Sequence, residues 1–248
     1  MKNHPITFVN FCVDIGRDNL PINNSIYRSF ELYKAGMSEN IMTILPLVLY
    51  TSEHKINIPN HRNESNFRHH YFDEQSIENE FPNFELYKTT YPITHKDDIS
   101  SSLFYYSPLV VLKMKKMIDV VNENPFNSEL FFWIDCFFVR GILESEFLYE
   151  EDVFLKMSEN VKNKLNDKFV ILDDGIRPFG FFWGGSKKVL ESVYEKYFEV
   201  FFESLPRTIL TEELIFKILM GKYPDLFHIE KVHDLSNYKI TCQNFLLK

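Results

Sequence analysis

The stretch Phe131-Phe132-Trp133-Ile134-Asp135-Cys136-Phe137-Phe138 sets one carboxylate into an apolar, aromatic run. Such a run reads as a strand buried on both faces, and an unpaired carboxylate inside it is costly. Asp135 is therefore expected where the strand emerges into a site with a cation, a hydroxyl or a donor to meet it. The alternative is a core aspartate bonded to a neighbouring loop. In an open α/β sheet, ligands bind in the crevice beyond the carboxyl ends of the strands.

Three further segments carry chemistry. Asp14-Ile15-Gly16-Arg17 follows a strand-like run, and its guanidinium could pair with a diphosphate in a bidentate way. On spacing alone, a loop arginine beside a glycine turn is the simpler account. Phe181-Phe182-Trp183-Gly184-Gly185-Ser186 places two glycines between aromatics and a helix start. That arrangement allows close backbone approach to a ligand, with aromatic faces for a sugar ring; a strand-to-helix turn with core aromatics is the plain alternative. Thr211-Glu212-Glu213 opens a helix, where acids are favoured by the dipole. If that helix end faces the cleft, one glutamate becomes a general base toward a hydroxyl acceptor.

Other chemistries lose their usual support. The chain contains no GxGxxG and no GxxxxGK[ST], which argues against dinucleotide dehydrogenases and P-loop enzymes. The histidines show neither HExxH nor CxxC…HxxxH spacing, against a structural zinc. His233 could join Asp135 at a divalent ion, although a surface or core histidine is the simpler reading. A net charge of −8 argues against a general nucleic-acid binder, which needs a basic face, and against constitutive docking on anionic lipid, leaving peripheral membrane contact open. Cys12, Cys136 and Cys242 are far apart and odd in number, as expected of free thiols in a reducing compartment. No signal peptide is apparent at Met1-Lys2-Asn3-His4-Pro5, and the longest apolar stretches, such as Ile44 to Tyr50, are too short to span a bilayer. The expectation is a soluble, cytoplasmic protein.

The elements that must position these residues follow from periodicity. Ile6 to Val13 reads as a first, central strand. Ser25 to Gly36 has helical spacing at Ile26, Phe30 and Tyr33, with Gly36 as its stop. Ile41 to Tyr50 predicts a second strand that Pro46 makes irregular. Residues 52–100 predict loops and short helices near the site mouth, with a short strand around Phe84-Leu86-Tyr87. Ser107-Pro108 begins a helix in which Ser107 is the cap and Lys113, Lys115 and Lys116 form the solvated face. The Phe131–Phe138 strand comes next, then a helix over Val153–Leu165, a strand over Phe169–Leu172 and a helix from Lys187 to about Ser204. The Thr211 helix ends near Gly221. With 248 residues, 45% hydrophobic and 25 of them Phe, the chain can bury a sizeable core. There is no repeat and no convincing linker, so residues 1–248 read as a single α/β domain.

The runs Ile6–Arg17, Ser107–Phe137, Phe181–Leu190 and Thr211–Phe227 together resemble the HtrL/YibB-like family of bacterial glycosyltransferases. The resemblance spans nearly the whole chain in order, although no single motif is specific. It implies a GT-A-like fold, a Rossmann-type mixed sheet flanked by helices. It also implies a nucleoside diphosphate sugar donor, a glycan or other hydroxyl acceptor, and a divalent cation, manganese or magnesium. By position, Asp14 and Arg17 would lie at the nucleotide pocket. Asp135 would be the first acid of a DxD-type motif, contacting ribose or metal. Gly184 and Gly185 would floor the donor sugar and acceptor, and Glu212 or Glu213 would be the base of an inverting enzyme. A full DxD puts a second acid at position 137, where this chain has Phe137, and Asp135 alone is a poor site for such a cation. Two other readings are a binding protein that keeps the fold without catalysis, and a hydrolase using Asp135 with Glu212 or Glu213.

Overall fold

The first strand, β1 (Ile6–Cys12), is buried along its whole length, as a strand covered on both faces must be. The computed structural model describes residues 4–16, 18, 30–94, 103–136, 150–165, 167–232, 241 and 244–246. After β1 come α1 (Phe30–Met42), β2 (Leu47–Thr51), β3 (Phe67–Tyr71), α2 (Glu74–Glu80), α3 (Phe84–Thr94), α4 (Tyr106–Glu123) and β4 (Leu130–Ile134). The second half holds α5 (Glu151–Leu165), β5 (Phe169–Asp173), β6 (Pro178–Ser186), α6 (Lys187–Ser204), α7 (Glu212–Lys222) and β7 (Phe227–Lys231). The strands form one sheet in the order β3-β2-β1-β4-β6-β5-β7. All run parallel except β6, which is antiparallel to both β4 and β5. This is the expected fold class at the level of α/β, a mostly parallel mixed sheet flanked by helices.

Strand residues alternate between the two faces of the sheet. Val9, Phe11, Phe131, Trp133, Ile171 and Trp183 pack with α2, α3, α4, α6 and α7. Phe8, Cys12, Phe132, Ile134, Cys136 and Phe182 pack with α1 and α5. The same alternation puts Asp135, two residues past Trp133, on the α4 and α7 side. Asp135 itself lies just beyond the last residue of β4.

Several expectations are corrected. Gly36 does not stop α1 but lies inside it and is buried, because a Cβ there would collide with the Cys136 carbonyl. Ile41 belongs to α1, and β2 begins only after Pro46, whose carbonyl accepts the Phe8 N–H at 2.8 Å. Phe84, Leu86 and Tyr87 are helical, in α3. Ser107 is inside the first turn of α4; the N-cap is Tyr105, without a side-chain cap bond. The polar strands β3 and β7, at the two edges of the sheet, were not foreseen. Among the described residues, no helix is long and apolar enough to cross a membrane.

Candidate functional site

Asp135 stands at the carboxyl end of β4, and its backbone is fixed from two sides. Its N–H donates to the Phe181 carbonyl of β6 at 3.0 Å. Its own carbonyl accepts from Asn40 Nδ2 of α1 at 3.3 Å. Oδ1 of its side chain accepts the Trp133 Nε1–H at 2.9 Å and Lys113 Nζ at 3.2 Å. The carboxylate is 34% exposed, so the strand does emerge into an accessible place.

Lys113 corrects a sequence expectation. It does not lie on a solvated face of α4 but is buried. Its Nζ lies 2.6 Å from Glu212 Oε1 and 3.2 Å from the Gly180 carbonyl, besides Asp135. It also sits 5.3 Å from the centroid of the Trp133 ring. Burial lowers the affinity of Lys113 for its proton, but the carboxylates of Asp135 and Glu212 outweigh burial and hold the ammonium well above its ordinary value. Lys116 is buried too, over the rings of Tyr50 and Phe72 and against Glu80, so of the three lysines only Lys115 keeps appreciable exposure.

The two glutamates of α7 differ. Glu212 is buried, and desolvation pushes its carboxyl up to about 7 despite the opposing pull of Lys113. Glu213 keeps 33% side-chain exposure and pairs with Arg177 at 3.6 Å. Burial raises its pKa too, while Arg177 and the Gly180 N–H pull it back. A Cβ at Gly180 would collide with the Glu212 carboxylate, which Lys113 holds, so a larger residue there would have to displace that carboxylate from its lysine. Tyr106 at the start of α4 completes the surround; burial and then Glu212 raise its hydroxyl pKa.

The structure thus brings Asp135, Glu212 and Glu213 together. Asp14 lies at the same end of the sheet but in a neighbouring cleft. It lines a cleft of about 500 Å³ with Gly16, Asp73, Glu74, Gln75, Glu78 and Tyr105. Arg17 and His233, as well as Phe137, fall outside the described residues. Gly184 and Gly185 are not brought to the carboxylates. They pair with Phe132 and Phe131 inside the sheet, three to four residues below Asp135, or about 10–13 Å along the strand. A Cβ on Gly184 would collide with the Phe131 carbonyl, and one on Gly185 would lie 2.6 Å from Val189. Close approach is indeed why these positions are glycine, but what approaches is the protein itself.

Sequence reasoning missed Lys113, Gly180 and Arg177. For Lys113 the available signal was its place on the helix face of Leu109 and Met117, four residues to either side, directly after the apolar run Leu109-Val110-Val111-Leu112. Among the described residues, no group of three or more His, Cys, Asp or Glu side chains is arranged to hold a metal.

No family model matches the chain, and no curated protein matches it. Among solved structures it is similar to mouse xyloside xylosyltransferase 1 in the apo form. There the identity is 8%, coverage is 99% of this chain and 94% of that one, and the TM-score is 0.47. It is also similar to a 4-diphosphocytidyl-2C-methyl-D-erythritol synthase from Anaerococcus prevotii. In that case identity is 12%, coverage is 100% and 97%, and the TM-score is 0.36. At these values neither likeness bears on substrate or mechanism.

Proposed function

We propose that the chain is a glycosyltransferase that moves a sugar from a nucleoside diphosphate sugar to an acceptor hydroxyl, as its resemblance to the HtrL/YibB-like family implies. The observation that carries this reading is the meeting of a partly exposed Asp135, at the end of a central strand, with two glutamates of raised pKa at the start of α7. A carboxylate raised toward neutrality is a better proton acceptor at working pH than an ordinary one. Of the two, Glu213 is the base in this proposal, because Glu212 is walled in by Lys113 and Gly180.

In the proposed reaction, Glu213 takes the proton of the acceptor hydroxyl as that oxygen attacks the anomeric carbon. The bond from that carbon to the diphosphate breaks in the same event, and an in-line attack inverts the configuration. Asp135 accepts a hydroxyl of the donor. Because Asp14, Asp73, Glu74 and Glu78 line the cleft at Asp14, a diphosphate there needs cationic partners, and in this proposal Arg17 is one at the leaving group. A divalent cation supplies charge neutralisation there when bound. The described residues offer it Asp135 and no cage, so most of its shell would come from the diphosphate and water.

Thermal stabilisation by UDP, GDP and CMP compounds with manganese present tests donor class and metal need together. Donor turnover follows, in the wild type and in Asp135→Asn. We expect one nucleotide class to stabilise the protein and the variant to lose about 1000-fold or more in turnover. Full turnover in a folded Asp135→Asn protein refutes the role of that carboxylate. Phe137, in place of a second acid, favours the second reading, a non-catalytic nucleotide-sugar or carbohydrate-binding protein. Stabilisation by donors without hydrolysis or transfer to any acceptor selects it.

A further inference from the structure

Every bond that Asp135 makes through its side chain uses one oxygen. Trp133 Nε1 and Lys113 Nζ both reach Oδ1, and among the described residues nothing is bonded to Oδ2. The backbone cannot shift to change this. Phe181 and Asn40 hold its two polar groups, and Gly36 of α1 lies against the next carbonyl with no room for a Cβ. The donors are themselves fixed. Lys113 uses its three protons on Asp135, Glu212 and Gly180, which is all an ammonium has. Trp133 is buried, stacked 5.7 Å from Trp183, with Lys113 over its ring.

We propose that Lys113 and Trp133 are positioning residues that turn Asp135 so that Oδ2 alone faces the ligand. The site then takes a ligand through one charge-assisted hydrogen bond from a single hydroxyl, such as a ribose or sugar hydroxyl of the donor, and not through a two-pronged contact. Lys113 never touches the substrate, because its protons are already committed, and Glu212 serves as its second anchor. This inference rests on the sugar-transfer reading for its ligand, but the clamp itself can be observed without any turnover.

The chain has two tryptophans, so its amide spectrum carries two indole N–H resonances, which Trp133→Phe assigns. Asp135→Asn and the charge-matched Lys113→Met/Glu212→Gln are each expected to move the Trp133 resonance and leave that of Trp183 in place. In the double variant, kcat/KM for the donor should fall about 100-fold, the cost of a carboxylate misplaced by about 1 Å. Trp133→Phe, which keeps the ring packing and loses one donor, should raise the donor KM about 10-fold with little change in kcat. Val120→Ala, a core change on α4, controls for destabilisation and should alter neither resonance nor KM. A Trp133 resonance that stays put in either carboxylate-site variant overturns the clamp, as does an unchanged KM in Trp133→Phe. If the wild type transfers nothing, the sugar-transfer reading falls and the indole resonances alone decide the clamp.

Discussion

Two buried cations, at opposite ends of the sheet, are satisfied in opposite ways. Arg62 lies below the strands, where α1 ends and β2 and β3 begin. Its donors reach the carbonyls of Asn40, Ile41, Leu45 and Asn66 and the Thr43 hydroxyl. Among the described residues no carboxylate pairs with it, and burial lowers its pKa to about 10. Lys113 lies at the carboxyl ends of the strands and meets two carboxylates from two different elements. A guanidinium with five donors suits a cage of backbone oxygens, while a compact ammonium suits point charges. The contrast separates a cation that closes a loop from a cation that organises a site. At Arg62 the partners are four backbone carbonyls and one hydroxyl, none of which titrates; at Lys113 two of the three are carboxylates, whose direction can matter to a ligand.

The sharpest break of that comparison comes from removing each cation. Arg62→Met strands several buried acceptors and should cost about 3–5 kcal/mol, roughly 10 °C or more in Tm. Arg62→Lys should recover little of this, having three donors for five contacts. Near-wild-type melting of Arg62→Met would show that the cage is ornamental. Lys113→Met leaves two carboxylates beside each other and should cost about 3 kcal/mol in urea unfolding. Adding Glu212→Gln should return most of that loss, because the uncompensated charge disappears. No second-site change can do the same for Arg62, whose acceptors belong to the chain itself. Failure of Glu212→Gln to rescue Lys113→Met would dissolve the distinction between the two regions.

How much of this was readable beforehand depends on where each residue's reason lies. β1, β4 and α6 were legible because apolar runs and helical spacing are local. β3 and β7 were not: Phe-Arg-His-His-Tyr and Phe-His-Ile-Glu-Lys are polar because they are sheet edges, and only the topology says so. Gly36 looked like a helix stop because its true constraint, the Cys136 carbonyl, is a hundred positions away in sequence. Asp135 was legible as a carboxylate in an apolar run. Lys113 was not, since a lysine on an amphipathic helix defaults to solvent, and its partners lie 22 and 99 positions off. The Gly184-Gly185 pair shows the converse: a local motif with a purely internal use.

pH sharpens the comparison next, because Glu212 beside Lys113 titrates near neutrality while the oxygens bonded to Arg62 do not. Burial lifts Glu212 from an ordinary 4.5 to about 7, so the folded state holds a proton that the unfolded chain releases. Its contribution to stability is therefore fullest below pH 4.5 and is lost as pH rises through 7. Glu213 is raised in the same direction. Lys113, held above its ordinary value, adds no slope in this window. Urea unfolding between pH 5 and 8 should show the wild type losing roughly 2–3 kcal/mol relative to Glu212→Gln, a difference that Arg62→Lys leaves in place. His69 and His70, whose pKa values burial lowers, add an opposite slope common to all three proteins. A wild type that loses no stability relative to Glu212→Gln over this range contradicts a protonated, buried Glu212.

Arg177 gives the smallest stability effect and the finest test. Its guanidinium is 57% exposed and 3.6 Å from Glu213, so water screens the pair. Arg177→Ala should change stability by less than about 1 kcal/mol. The same charge, however, opposes the burial that raises the Glu213 carboxyl, and removing it lets that carboxyl climb further. If Glu213 must be ionised to take the acceptor proton, the acid limb of the kcat/KM profile moves to higher pH in Arg177→Ala and returns in Arg177→Lys. Rates on the alkaline side of that limb should differ little, since the base is ionised there in both proteins. An acid limb that stays fixed while melting is unchanged would remove Glu213 as the base, and would leave Asp135 with its buried lysine as the part of the site still to be explained.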